Sequence, residues 1–175
     1  MEHHERPSGV WLALPRKQGE QEPSLTYAAA VEEALAYGWI DSKSNRLDAT
    51  RSLLWMSPRK PKSGWSKVNK ARIAKLEREG RMAAPGRAAV AAAKRSGTWT
   101  ALDAVEALEV PVDLGRALSA DKRAMRHFDA FPPSARKGIL TWIADAKREE
   151  TRARRIAETV RLAARNERAN QWRPR

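Results

Sequence analysis

The chain has 175 residues and carries 34 Lys and Arg against 21 Asp and Glu, which gives a formal net charge of +13 and an isoelectric point near 10.7. The absence of cysteine excludes a disulfide framework, a Cys-ligated metal site and a thiol nucleophile. A hydrophobic share of 42% with seven tryptophans is typical of a globular protein, and no window approaches the roughly 18 apolar residues of a membrane helix. We therefore expect a soluble cytoplasmic protein.

The first third of the chain predicts a small mixed region with three antiparallel strands and one helix. Residues 9–15 form an apolar run bounded by Gly and Pro that is too short for a helix and favours a strand. Thr26 is a suitable N-cap for a helix that ends at Gly38. Residues 39–42 and 52–57 flank a polar segment and are typical of a hairpin. The tryptophans of these three strands, Trp11, Trp39 and Trp55, are expected to be core residues.

The periodicity becomes helical after residue 64. Ser66 can cap a helix over residues 67–79, in which Val68, Ile73 and Leu76 fall within an arc of roughly 140° and are expected to be buried. Lysines and arginines occupy the opposite side of this helix as a basic stripe.

Further helices are expected over residues 85–95, from Ser119 or Asp121 to about Phe128, from the Pro132-Pro133 pair onward with Trp142 facing the core, and from Glu149 onward. The predicted fold class is α+β and mostly helical overall: a small antiparallel sheet with helices in the N-terminal part, followed by a helical C-terminal part.

The charge divides the chain into three regions: a small α+β region with a basic loop and helix (1–95), an acidic linker (96–115) and a helical C-terminal region (116–175). Residues 43–95 hold 15 basic and 3 acidic residues, a net charge of +12. The last region holds 16 basic and 7 acidic residues, and its own glutamates are placed to pair with the arginines of the last helix at helical spacing.

The strongest functional candidate is the loop from Arg59 to Lys67 with the helix that follows. Four cations within nine residues precede a helix N-terminus, where backbone N–H groups and the helix dipole favour an anion. The aromatic ring within the loop is suited to stacking on a base or a polar surface. The alternative is that this ring fills the core and the charges form a solvated face. The candidate residues for binding an anionic partner are Arg59, Lys60, Lys62, Trp65, Lys67, Lys70 and Lys75.

Other chemistries have little support. Asp41 and Ser42 form the only compact polar group, without the glycines of a nucleophile elbow. No phosphate-binding or dinucleotide-binding glycine motif occurs. His3, His4 and His127 are not spaced to converge on a metal ion. These observations favour a protein that is not an enzyme and needs no cofactor or metal.

Three stretches, residues 37–42, 57–69 and 146–156, carry a resemblance to a known family. In this order and spacing the chain resembles the YdeI/OmpD-associated proteins, often labelled bacteriocin-protection proteins, over nearly its whole length from Gly9 to Arg165. The resemblance implies a cytoplasmic bacterial protein with a small α+β N-terminal part and a helical C-terminal part. It also implies a role in tolerance to bacteriocins or cationic antimicrobial peptides and a link to an outer-membrane porin, with no catalytic residues to carry over.

Members of that family usually have a further helix that ends near a His-His pair. Here His3 and His4 follow Met1 almost at once, so we expect this helix to be lacking.

Three functional hypotheses follow. The first is a non-enzymatic protein of bacteriocin-protection type that binds an acidic protein or another anionic partner through the basic loop and helix. The second is a nucleic-acid-binding protein, whose affinity would fall steeply with salt. The third is an uncharacterised small-ligand binder or enzyme with a site near Asp41, Ser42 and Tyr37.

Overall fold

The computed structural model describes residue 5, residues 7–16 and residues 25–171. The chain divides into two compact units, Met1–Ala101 and Leu102–Arg175. The expectations that concern His3 and His4 lie outside the described residues. The prediction of an α+β, mostly helical fold is confirmed.

The elements of the N-terminal unit are β1 (Val10–Pro15), α1 (Tyr27–Ala36), β2 (Trp39–Arg46), β3 (Arg51–Pro58), α2 (Lys67–Arg78) and α3 (Ala84–Ser96). The C-terminal unit contains α4 (Asp103–Glu106), α5 (Val112–Ser119), α6 (Lys122–Ala130), α7 (Pro133–Ala144) and α8 (Glu149–Ala163). The segment 96–115, expected as a linker, thus contains α4, and it ends within α5, where Leu114 is fully buried.

The three strands form an antiparallel sheet in the order β1-β3-β2. Leu14, Leu54 and Trp39 lie on the face that is buried in the core. Trp11 lies opposite Trp55 on the other face, where the two rings meet edge-on at 5.1 Å, and Trp11 is 43% exposed. The expectation of a core position is therefore confirmed for Trp39 and was wrong for Trp11 and Trp55. Successive side chains in a strand point to opposite faces, and the core face of β1 belongs to Val10, Leu12 and Leu14.

Local capping fixes the ends of α1 and α2. Thr26 Oγ1 accepts a hydrogen bond from the Ala29 amide at 3.0 Å, and Ser66 Oγ accepts one from Asn69 at 3.3 Å. Gly38 and Gly80 follow these helices with φ of 78° and 66°, a conformation that glycine adopts without strain. These boundaries agree with the sequence prediction to within a residue or two.

The buried face of α2 differs from the predicted one. Ile73 and Leu76 are buried, but Val68 is 59% exposed. The third inward position is Asn69, which is 8% exposed and accepts a hydrogen bond from Arg72. Positions 69, 73 and 76 follow the i, i+4, i+7 spacing of one helix face, whereas Val68 is rotated by about 100° from Asn69.

Helix α3 approaches the end of α1 very closely. A Cβ atom added at Gly86 would lie 2.1 Å from the Ala36 carbonyl oxygen, so only glycine fits there. The same oxygen accepts a hydrogen bond from the Ala83 amide at 3.1 Å. The start of α3 is thus held against the last turn of α1 by contact and by hydrogen bonding.

The C-terminal unit packs its helices around a separate core that includes Leu114, Leu118, Phe128, Ile139 and Ile143. Trp142, expected in this core, is only partly buried at its edge, and the Arg155 guanidinium lies 5.1 Å from its ring.

The close approach at Gly86 gives a test of the fold. We expect Gly86→Ala to destabilise the N-terminal unit by about 1–3 kcal/mol, because the new methyl group forces α3 away from Ala36. Gly115→Ala is the matched control: the added Cβ lies 3.8 Å from Val110, an ordinary contact, so this change should stabilise α5 by about 0.5–1 kcal/mol. Urea unfolding of both variants measures the difference, and equal effects would contradict the packing.

Candidate anion-binding surface

Residues 59–65 form a loop that folds around the side chain of its first residue. The Arg59 amide donates a hydrogen bond to the Gly38 carbonyl at 3.0 Å, and its guanidinium donates one through Nη2 to the Gly64 carbonyl. The guanidinium carbon lies 3.7 Å from the centre of the Trp65 ring, a close cation–π contact. Arg59 therefore holds the loop closed from inside and is not a freely exposed charge.

The structure places Trp65 in the core of the N-terminal unit, 1% exposed. Its ring packs against Trp99 with the ring centres 5.0 Å apart. Of the two roles that the sequence left open for Trp65, filling the core is the one seen in this structure. A ring buried in this way is not available to stack on a partner.

Trp99, unlike Trp65, is only partly buried and packs against the edge of the same core. The Lys70 and Lys94 ammonium nitrogens lie 5.4 and 5.2 Å from its ring centre. Sequence reasoning missed Trp99 and Lys94 as part of this surface. The sequence contained one indication of this position, because Gly97 is a residue typical of a helix end. Its φ of 78° ends α3 and reverses the chain, so that the Trp99 amide donates a hydrogen bond to the Ala93 carbonyl.

Lys60, Lys62 and Lys67 are exposed, and within the described residues no carboxylate lies within salt-bridge distance of them. Their positive charges add to those of Arg59 in the loop and of Lys70 and Lys94 beside Trp99. We call Arg59, Lys60, Lys62, Lys67, Lys70 and Lys94 the basic surface.

Lys75, a candidate from the sequence, has an acidic partner. Its Nζ lies 2.8 and 3.0 Å from the two carboxylate oxygens of Glu32 on α1, and Arg81 approaches the same carboxylate at 3.4 Å. The Lys75 hydrogen bond holds the pKa of Glu32 below its ordinary value of 4.5, in spite of partial burial. The charge of Lys75 therefore stabilises the contact between α1 and α2.

A small cavity of about 100 Å³ lies between the loop and α3. Its walls come from residues 59–61 and Trp65 on one side and from Ala89, Ala92 and Ala93 on the other. Among the described residues, nothing accepts a hydrogen bond from Arg59 Nε or Nη1, and both atoms are buried. Burial lowers the pKa of Arg59 to about 10, and the negative charge of Asp41 opposes this shift.

Asp41 accepts a hydrogen bond from the Tyr27 hydroxyl at 2.7 Å. Burial is the largest cause that raises the pKa of Tyr27, and this hydrogen bond is the second. Ser42 and Lys43 lie exposed at a bulge of β2, where the strand's register shifts against β3. Asp41 thus anchors the start of α1 to the sheet.

Among the residues that the structure describes, no group of three or more His, Asp or Glu side chains is placed to hold a metal ion. None of the helices in this part of the chain is long and apolar enough to cross a membrane.

Comparison with known families divides the chain in a similar way. Residues 1–89 match the model described as Domain of unknown function (DUF8412), and residues 107–166 match the model described as Bacteriocin-protection, YdeI or OmpD-Associated. The first match covers just over half of the sequence, so the chain belongs to the DUF8412 family. No curated protein and no solved structure matches the chain.

The resemblance to the YdeI/OmpD-associated family is confirmed within the C-terminal unit, which contains the stretch 146–156. The two other stretches that carried it, residues 37–42 and 57–69, lie in the part that matches the first model. The basic surface and the family match that suggests a function therefore lie largely on different parts of the chain.

The Glu32–Lys75 pair predicts a pH dependence. The lowered pKa of Glu32 means that its contribution to folding stability is complete above its ordinary pKa of 4.5 and is lost as the pH falls through the lower value in the folded protein. We expect Glu32→Gln to lower the melting temperature at neutral pH and the gap to wild type to narrow on acidification. Glu33→Gln, at the exposed neighbouring position, is the control and should leave the profile unchanged. A gap that stays constant with pH would contradict the pair's role.

Proposed function

We propose that this protein is a non-enzymatic, cytoplasmic protein of bacteriocin-protection type that binds an anionic partner through its basic surface. The family match over residues 107–166 suggests the biological role. The observation that carries the binding proposal is the set of exposed lysines Lys60, Lys62 and Lys67, which have no carboxylate within salt-bridge distance among the described residues and lie on the loop and at the start of α2.

The placement of acidic residues supports the assignment of binding to the basic surface. In the C-terminal unit, Arg152 is bound by both Asp113 oxygens at 2.6 and 2.9 Å, and Lys137 is paired with Glu106 at 2.7 Å. These cations are used within the fold. Lys60, Lys62 and Lys67 have no such use in the described structure, so their mutual repulsion is relieved when a partner brings negative charge.

The partner's charge is the property that the basic surface selects. Solvated lysines on flexible stems provide long-range attraction, and the ordered loop provides a fixed position for it. Electrostatic association of this kind is fast and weakens with added salt. An acidic protein surface therefore fits the basic surface well.

Single-stranded nucleic acid is a second candidate partner, and it is favoured by one observation. Trp99 is partly exposed, and the Lys70 and Lys94 ammonium nitrogens lie 5.4 and 5.2 Å from its ring centre, so an aromatic ring and positive charge for phosphates occur together. If nucleic acid is the partner, Trp99→Leu should weaken oligonucleotide binding, and affinity should fall steeply with salt. Absence of binding at low salt would remove this candidate.

Charge reversal tests the proposal. We expect Lys60→Glu, Lys62→Glu and Lys67→Glu together to weaken binding to polyglutamate roughly tenfold or more, because like charges then face each other across the contact. The matched control reverses Lys122, Arg123 and Arg126 on exposed positions of α6, with the same change in net charge.

The same variants test the biological role in a bacteriocin-sensitive bacterium. Expression of the wild type and of the α6 control should raise survival, and expression of the loop variant should not. Equal protection by the loop variant would overturn the role of the basic surface, and no protection by the wild type would overturn the bacteriocin role.

A further inference from the structure

We propose that the cavity between residues 59–65 and α3 binds a small carboxylate that carries a short aliphatic group. The inference rests on the proposed function to the extent that Arg59 and Lys60 belong to the basic surface. It goes beyond that function by assigning a ligand to a cavity that shares these two residues with the basic surface.

The first argument is the state of Arg59. Its guanidinium has three nitrogens, of which only Nη2 has a hydrogen-bond acceptor among the described residues. Buried donors in native proteins are nearly always satisfied, and a guanidinium is costly to bury without an opposite charge. The Trp65 ring and the more distant charge of Asp41 compensate it only in part. An acceptor carrying negative charge supplies what this side chain lacks.

The second argument is the cavity itself. At about 100 Å³ it is several times larger than the space that one water molecule requires. Arg59 lines it, and Lys60 adds a second positive charge at the same wall. Because Nε and Nη1 are closed to solvent, a carboxylate reaches them only when the guanidinium turns toward the cavity while it stays stacked on the Trp65 ring.

The third argument is the nature of the opposite wall. The side chains of Ala89, Ala92 and Ala93 present methyl groups from α3, and Pro61 adds further apolar surface. A phosphate would place several oxygens against these groups without donors, which is unfavourable. A short-chain carboxylate fits better, because its charged end pairs with Arg59 and Lys60 and its alkyl end packs on the alanines.

Two sources offer this chemistry: a free short-chain acid and the C-terminal residue of a peptide that ends in a small apolar side chain. Both present one carboxylate attached to a few carbon atoms. They differ in what continues beyond the cavity, and an amidated peptide, which lacks the carboxylate, separates them.

The test uses the full chain and butyrate as the probe. We expect saturable binding by calorimetry, together with a shift of the Arg59 Nε–H signal in nitrogen-edited NMR spectra. Ala92→Leu fills the cavity from an exposed helix position and should weaken butyrate binding tenfold or more. Ala88→Leu, also exposed on α3 but outside the cavity wall, is the matched control and should bind as the wild type does.

The remaining measurements fix the ligand class. Inorganic phosphate binding as tightly as butyrate would overturn the choice of a carboxylate. A peptide ending in alanine that binds only with a free carboxylate identifies a chain terminus as the source, and binding of butyrate alone identifies a free acid. No saturable binding of butyrate or peptide, or equal binding by Ala92→Leu, would overturn the inference.

Ala92→Leu leaves every charge of the basic surface in place, so its binding to polyglutamate is expected to be unchanged. Loss of carboxylate binding with retained polyglutamate binding supports the cavity as a distinct site. Failure of the lysine reversals to affect polyglutamate binding would count against the proposed function and leave the cavity result standing.

Discussion

The stacking of Arg59 on Trp65 is the contact on which the N-terminal unit's functional surface depends. The guanidinium lies against a fully buried ring and closes the loop by donating a hydrogen bond to the Gly64 carbonyl. Ser66, the next residue after the ring, caps α2. The position of the loop, the start of α2 and the wall of the cavity are therefore set together. The backbone of the lysines on either side of this contact is held in place because the contact itself is buried.

Local signals in the sequence predicted the framework of this arrangement. Thr26, Ser66, Gly38 and Gly80 act within one or two helical turns of their own positions, so their roles follow from neighbouring residues alone. The sheet was predictable for the same reason, because alternation and turn residues are local. The buried face of α2 was not predictable from local signals, since Asn69 is buried in place of the more apolar Val68.

The site depended on distant residues and could be predicted only in part. Glu32 neutralises Lys75 across 43 positions of sequence, and no helical spacing indicates this pair. Trp99 joins Trp65 only because α3 brings it back to the loop. Sequence also assigned the arginines of α8 to glutamates on the same helix, whereas Arg152 binds Asp113 of α5. The sequence located the positive charge along the chain. The tertiary contacts were needed to show which of these charges form ion pairs within the fold.

The distribution of tryptophans between the two units has a consequence for spectroscopy. Five of the seven belong to the N-terminal unit, and the Trp65 and Trp99 rings are close enough for their electronic transitions to couple. Circular dichroism in the aromatic bands therefore reports mainly on one unit, whereas the helical signal in the far ultraviolet comes from both. Following the two signals on heating separates the melting of the N-terminal unit from that of the C-terminal unit without any added label.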